Sequence, residues 1–236
     1  MPVAREVLPL ATLLPRAWFG FSQSPWRCVG LAALILIGLM GPGVLAHDLQ
    51  RSAWPLLAWL GNLLLACSLL VPIAPTMALL QLADQLLSAS VAEPPEHQRQ
   101  PASLLWLWRQ GVALLTLEVL ILAGGLSSIR MLSEALSPRS GVLASAVIVV
   151  GGFALILWIG SQLLALPLLV HHRHRPLAAM EHSRHLVYSN RLKVLALIGL
   201  LLGLNALGLM GACLGLLISL PLSALVLMAS CRTQTS

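Results

Sequence analysis

The sequence predicts an all-α polytopic membrane protein, with six transmembrane helices arranged as three hairpins and flanked by juxtamembrane interfacial helices. Three observations predict it. Hydrophobic residues fill 58% of the 236 positions and charged residues only 9%, where a soluble domain carries roughly 25% charged residues. So few charges cannot cover a water-facing surface. Apolar runs recur at about the 20 residues that a bilayer-crossing helix needs. The basic excess, 14 Lys and Arg against 8 Asp and Glu for a net charge of +6, stands between those runs and forms no stripe with interleaved aromatics. That placement argues against nucleic acid and for the lipid bilayer and anionic lipid headgroups as partners.

The chain, 1–236, reads as a single membrane domain. Residues 1–27 form a cytoplasmic arm. Its first apolar patch, Leu8 to Leu14, is short and ends at Pro15, so it makes a poor signal peptide, and the first long run reads as a retained anchor. Leu10 to Arg27 mixes Leu13, Leu14, Trp18, Phe19 and Phe21 with Arg16 and Arg27, as an interfacial helix does. The first span, about 28–46, runs from Cys28 to Ala46 and is interrupted by Gly41-Pro42-Gly43. The second, about 53–73, runs from Ala53 to Pro72 or slightly beyond. Met77 to Leu87, apolar with Gln81, Asp84 and Gln85, reads as a second interfacial helix. Ser88 to Pro101, containing Glu93-Pro94-Pro95-Glu96, has the composition of a disordered linker.

The third span covers Gly111 to Leu126, about 111–128. The fourth apolar run, Gly141 to Val170, would be about 45 Å long as one helix. It should therefore tilt or kink at Pro167, with the span proper at about 141–167. Leu177 to Arg191 carries Leu177, Met180, Val187 and Tyr188 among charges, a third interfacial helix. No charged residue stands between Lys193 and Arg232. That block accommodates spans of about 193–209 and 212–230 joined by a tight turn near Gly208 to Gly211, with a re-entrant hairpin as the rival. Counting Lys and Arg places 11 on the side of the termini and 3, Arg51, Arg130 and Arg139, on the other. Both termini should therefore be cytoplasmic.

A weak internal repeat runs through this order: an interfacial segment, then a hairpin whose second helix carries proline, at Pro72 and Pro75, at Pro167 and at Pro221. Two stretches carry a family resemblance. One is Arg16-Ala17-Trp18-Phe19 followed by Ser24-Pro25. The other runs Ala179-Met180-Glu181-His182-Ser183, Ser189-Asn190, Asn205-Ala206-Leu207-Gly208, Gly215 and Pro221. In these the chain resembles a large superfamily of uncharacterised six-helix bacterial integral membrane proteins. That group includes the membrane-anchor domain of glycerophosphodiester phosphodiesterases. The resemblance implies a six-helix fold in a bacterial cell membrane and no reaction, because the anchor is not the catalytic part.

Glu118 lies near the middle of the third span, and an intramembrane carboxylate is a functional-site candidate by default. Asn62 and Asn205 fall at comparable depth, with Gln162 nearer the cytoplasmic side. Together they could form a proton or solute site, or each could serve as a hydrogen-bonded strut between helices. The most conspicuous polar cluster is His171, His172, His174, His182 and His185, with Glu181 beside them. Imidazoles suit a borderline metal ion or a pH response, while Arg173, Arg175 and Arg184 would repel a cation and favour a basic belt on lipid phosphates. Gly211, Gly215, Ser219 and Ser223 form one small-residue row and Gly199 and Gly203 another. Both suit helix packing within the hairpin or a homodimer face. Trp18, Trp26, Trp54, Trp106 and Trp108 stand near span ends as belt residues, and Trp158 sits deeper as packing.

Cys28, Cys67, Cys213 and Cys231 include no CxxC pair and read as small apolar fillers. No phosphate-cradling loop, catalytic triad or haem motif is present, and no cofactor is implied. The expectation is a non-catalytic membrane protein that organises or regulates membrane partners or lipids, the alternative being a small proton-coupled transporter or channel centred on Glu118.

Overall fold

The computed structural model describes residues 10–51, 54–90, 103–138, 140–211 and 214–232, with the side chains of 10, 11, 66, 67, 69, 89 and 90 set aside. Cys67, Cys213 and the Glu93-Pro94-Pro95-Glu96 stretch of the expected linker therefore lie outside the described side chains. The described residues form ten helices and no strand. These are α1 (Leu10–Gln23), α2 (Pro25–Gln50), α3 (Pro55–Leu70), α4 (Ile73–Ser90), α5 (Leu104–Leu136), α6 (Gly141–Ser161), α7 (Ala165–His172), α8 (Pro176–Ser189), α9 (Arg191–Met210) and α10 (Leu216–Arg232).

Among the described residues, four stretches are long and apolar enough to cross a membrane: α2, α5, the α6–α7 run and α9. Helices α3 and α10 are apolar but shorter, 16 and 17 residues. Successive helices run back along one another in three places. Gly38 of α2 meets Val71 just beyond α3, while Gly61 of α3 meets Ala46 and Gln50. Gly125 of α5 meets Leu155 of α6, and Gly151 meets Ile129. Gly208 of α9 meets Gly215 and Ser219, which open α10.

Helix α10 forms the centre. Leu225, Val226, Met228 and Cys231 are fully buried, and α10 packs against α1, α2, α4, α7 and α9. The physical reason lies in its composition. Ser219, Pro221, Ser223, Ala224, Ala229 and Ser230, all buried, alternate with large aliphatic residues, so neighbours can approach closely at the small positions while the large ones fill the space between. The helices expected to be purely interfacial supply much of that wrapping: α1 buries Leu13 and Ala17, and α4 buries Met77, Leu80, Ala83 and Leu87.

Several expected boundaries are corrected. Helix α2 is continuous from Pro25 to Gln50, so Gly41-Pro42-Gly43 lies inside it and interrupts nothing. Pro42 removes one hydrogen bond, which membrane helices tolerate. Helix α5 contains the expected span of Gly111–Leu126 and continues past it at both ends, because Ser103 caps its start by accepting from the Trp106 amide at 3.4 Å and the chain stays helical through Leu136. The fourth run breaks at Gln162–Leu164 and not at Pro167. Pro167 occupies the first turn of α7, where its missing N–H costs nothing, and its ring forces the break one turn earlier. Ser88 is helical, at the end of α4, and not part of a linker.

Candidate functional site

The most connected polar site joins α4, α7 and α10. Asp84 Oδ1 accepts from Arg232 Nε at 2.9 Å and lies 2.9 Å from His171 Nδ1. An ionised carboxylate can only accept, so the His171 contact places a proton on Nδ1. All three side chains are largely buried. Burial alone would push the Asp84 carboxyl up, but the His171 hydrogen bond and the charges of His171 and Arg232 outweigh it and hold Asp84 below the usual carboxylate range. Sequence reasoning singled out His171 and missed its partners. The available signals were Asp84, a lone acid in an apolar helix, and Arg232, the first charge after the long apolar block that follows Lys193.

Next to this site the histidines gather. His172 is central: its ring lies 4.7 Å from that of His171, 5.2 Å from His174 and 5.7 Å from His182. His174 and His182 are 5.6 Å apart. The return of His174 depends on Arg173, which ends α7 in the left-handed conformation at φ 56°. His185 takes no part in these ring contacts and is exposed, as is Glu181. Among the described residues no three His, Cys, Asp or Glu side chains are disposed to hold a metal ion.

Helix α8 docks onto the break between α6 and α7. The break leaves the Ser161 carbonyl without its helical partner, and Ser183 Oγ donates to it at 2.7 Å. Arg184 lies 5.1 Å over the ring of Trp158. Gln162 is buried beside Ser161, which accepts from its Nε2 at 3.3 Å, while Gln162 Oε1 and Trp158 Nε1 have no protein partner among the described residues. Trp158 is thus a packing residue, whereas Trp18, Trp26, Trp54 and Trp108 are exposed and Trp106 is half-buried.

The remaining polar candidates lie apart from one another. Asn62 accepts from Gln50 Nε2 at 2.8 Å, across the α2–α3 pair. Asn205 donates to Ser223 Oγ at 3.1 Å and to the Leu201 carbonyl, and it accepts from Ser219 Oγ at 3.2 Å, across the α9–α10 pair. Glu118 is half-buried on α5, with no hydrogen-bond or ion-pair partner among the described residues. No described hydrogen bond or ion pair links Glu118, Asn62, Asn205 and Gln162 to one another.

The two small-residue rows also part company. A Cβ on Gly215 would strike the Gly208 backbone, and Gly211 sits 3.4 Å from Gly215, so the row through Ser219 and Ser223 is internal. Gly199 and Gly203 are exposed and face open space. Ala179 and Ser183 of the α8 motif are fully buried, whereas Glu181 and Ser189 are exposed. Searches against family models, curated proteins and solved structures find no match.

Proposed function

We propose that this protein is a non-catalytic, multi-pass protein of a bacterial cytoplasmic membrane that organises or regulates membrane partners or lipids. In this reading α3 and α10 join α2, α5, α6–α7 and α9 to make six crossings in three hairpins, with both termini cytoplasmic. At 17 residues, α10 is about 25 Å long, short for the hydrocarbon core. Its neighbours shield it from lipid, which makes the shortfall tolerable.

One observation carries the reading. Several polar side chains join one helix to another: Asp84 meets His171 and Arg232, Asn205 meets Ser219 and Ser223, Ser183 meets the Ser161 carbonyl and, at an exposed position, Asn62 meets Gln50. Membrane helices associate by close packing and interhelical hydrogen bonds. A solute path would instead need such groups to face a shared wet space. The described helices α5 and α6 present Leu120, Val149, Val150, Phe153 and Ile156 outward, a surface suited to lipid or to another membrane helix. The resemblance to a superfamily that includes the membrane-anchor domain of glycerophosphodiester phosphodiesterases fits the same role.

Glu118 favours the second reading, a small proton-coupled transporter or channel, because it is a half-buried carboxyl without a described partner. Glu118→Gln keeps the shape and removes the charge. In a strain lacking the native chain, the variant should accumulate in membranes and restore the phenotype fully. Normal accumulation with lost function would overturn the proposal in favour of transport.

A further inference from the structure

A trough of about 500 Å³ lies between α2, α4 and the start of α5. Its wall on α2 is Arg27, Gly30 and Leu34, spaced along one helix face over two turns, or about 10 Å. Gln81 and Gln85 of α4 and Leu104 of α5 complete the polar rim and the apolar floor. Arg27 is exposed, makes no ion pair among the described residues, and is the single formal charge in the lining. The one acid of α4, Asp84, is already committed to His171 and Arg232. Trp26, 85% exposed, adjoins Arg27 and marks headgroup depth. A Cβ on Gly30 would meet nothing within 4 Å, so the missing side chain is what keeps the trough open.

We propose that this trough is a site for one anionic phospholipid, its phosphate on Arg27 with the rim amides beside it and one acyl chain lying over Gly30 toward Leu34. A cation with no ion pair among the described residues, at one end of an apolar channel, suits a ligand with an anionic head and a hydrocarbon tail. A charge-assisted contact to phosphate supplies the preference for anionic lipid. The inference rests on the membrane reading above.

Native mass spectrometry of the purified full chain, titrated with dioleoyl phosphatidylglycerol or dioleoyl phosphatidylcholine, tests it. The native chain should retain one phosphatidylglycerol in preference to phosphatidylcholine. Arg27→Gln should weaken that retention about tenfold, to the phosphatidylcholine level. Gly30→Leu, which fills the trough while improving helix propensity, should weaken retention of both lipids. Gly43→Leu, the same change at another open position of α2, should alter neither. Equal retention of the two lipids, native-like retention by Arg27→Gln and Gly30→Leu, or displacement by glycerol 3-phosphate alone would overturn the site. So would a Gly30-dependent dimer with no bound lipid, which would give the trough to a second copy. Carbonate extraction separates the two levels: release of the native chain from membranes overturns the membrane reading, whereas retention confines a failure to the trough.

Discussion

Asp84 Oδ1 lies 2.9 Å from both Arg232 Nε and His171 Nδ1, so a single oxygen ties together three helices that are remote in the chain. Replacing it with asparagine keeps the shape but leaves Arg232, only 17% exposed, without a counter-charge. A loss of about 1–3 kcal/mol follows for a pair of this partial burial. The pH dependence has a definite sign. The folded carboxyl titrates below its unfolded value, so its contribution is complete above the ordinary carboxylate range and disappears as pH falls through the lowered folded value. Thermal melting in detergent should show Asp84→Asn less stable than the native chain near pH 6, with the gap closing below about pH 4. A gap that persists to low pH, or none at pH 6, would reject this account. The partners stand 87 and 148 residues from Asp84. Nothing in local composition reports a contact over such a distance, and for that reason His171 was legible as a site residue while its acid was not.

At the scale of the helix pair, spacing was legible and direction was not. The rows Gly211–Gly215–Ser219–Ser223 and Gly199–Gly203 obey the same four-residue repeat, and a repeat cannot say which row faces a neighbour. In the structure Gly208 approaches the Ser219 Cβ so closely that a methyl group would lie 2.9 Å from it and 3.1 Å from the Gly215 carbonyl oxygen. Gly208→Ala should cost about 1–3 kcal/mol by overpacking. Gly199→Ala and Gly203→Ala, where the added carbon meets nothing, should be neutral or stabilising by about 0.5–1 kcal/mol. Melting temperatures of the three variants decide it, and equal damage at Gly199 and Gly208 would mean that the outer row is covered by another helix. The same limit explains the other differences. Apolar stretches disclosed where helices lie, but α1 and α4 have mixed faces that suit a membrane surface or a core equally. Helix α10, which packs against both, turns those faces inward. The break at Gln162–Leu164 was missed by one turn because proline acts on the carbonyl four residues before it and not at its own position.

For the molecule as a whole, the spacing of charges fits the proposed crossings. Arg27 and Asp48 bracket α2 about 21 residues apart, and Arg109 and Arg130 bracket α5 at the same spacing. Each interval is about 31 Å of helix, close to the hydrocarbon thickness. Glu118 is the one charged side chain inside either interval. In the proposed threading, which the Lys and Arg count suggests, Arg27 and Arg109 lie at one surface and Asp48 and Arg130 at the other. The continuation of α5 for a further turn and more past Arg130, where Glu134 pairs with it at 2.8 Å in the open, then lies in water and not in lipid. In a cysteine-free background, single cysteines at Arg51 and Arg130 should react with a membrane-impermeant maleimide on intact cells. Cysteines at Arg16, Arg109 and Arg175 should react only after permeabilisation. Labelling of Arg109 and Arg130 from the same side would show that α5 lies along the membrane and does not cross it, and the six-crossing arrangement would fall with it.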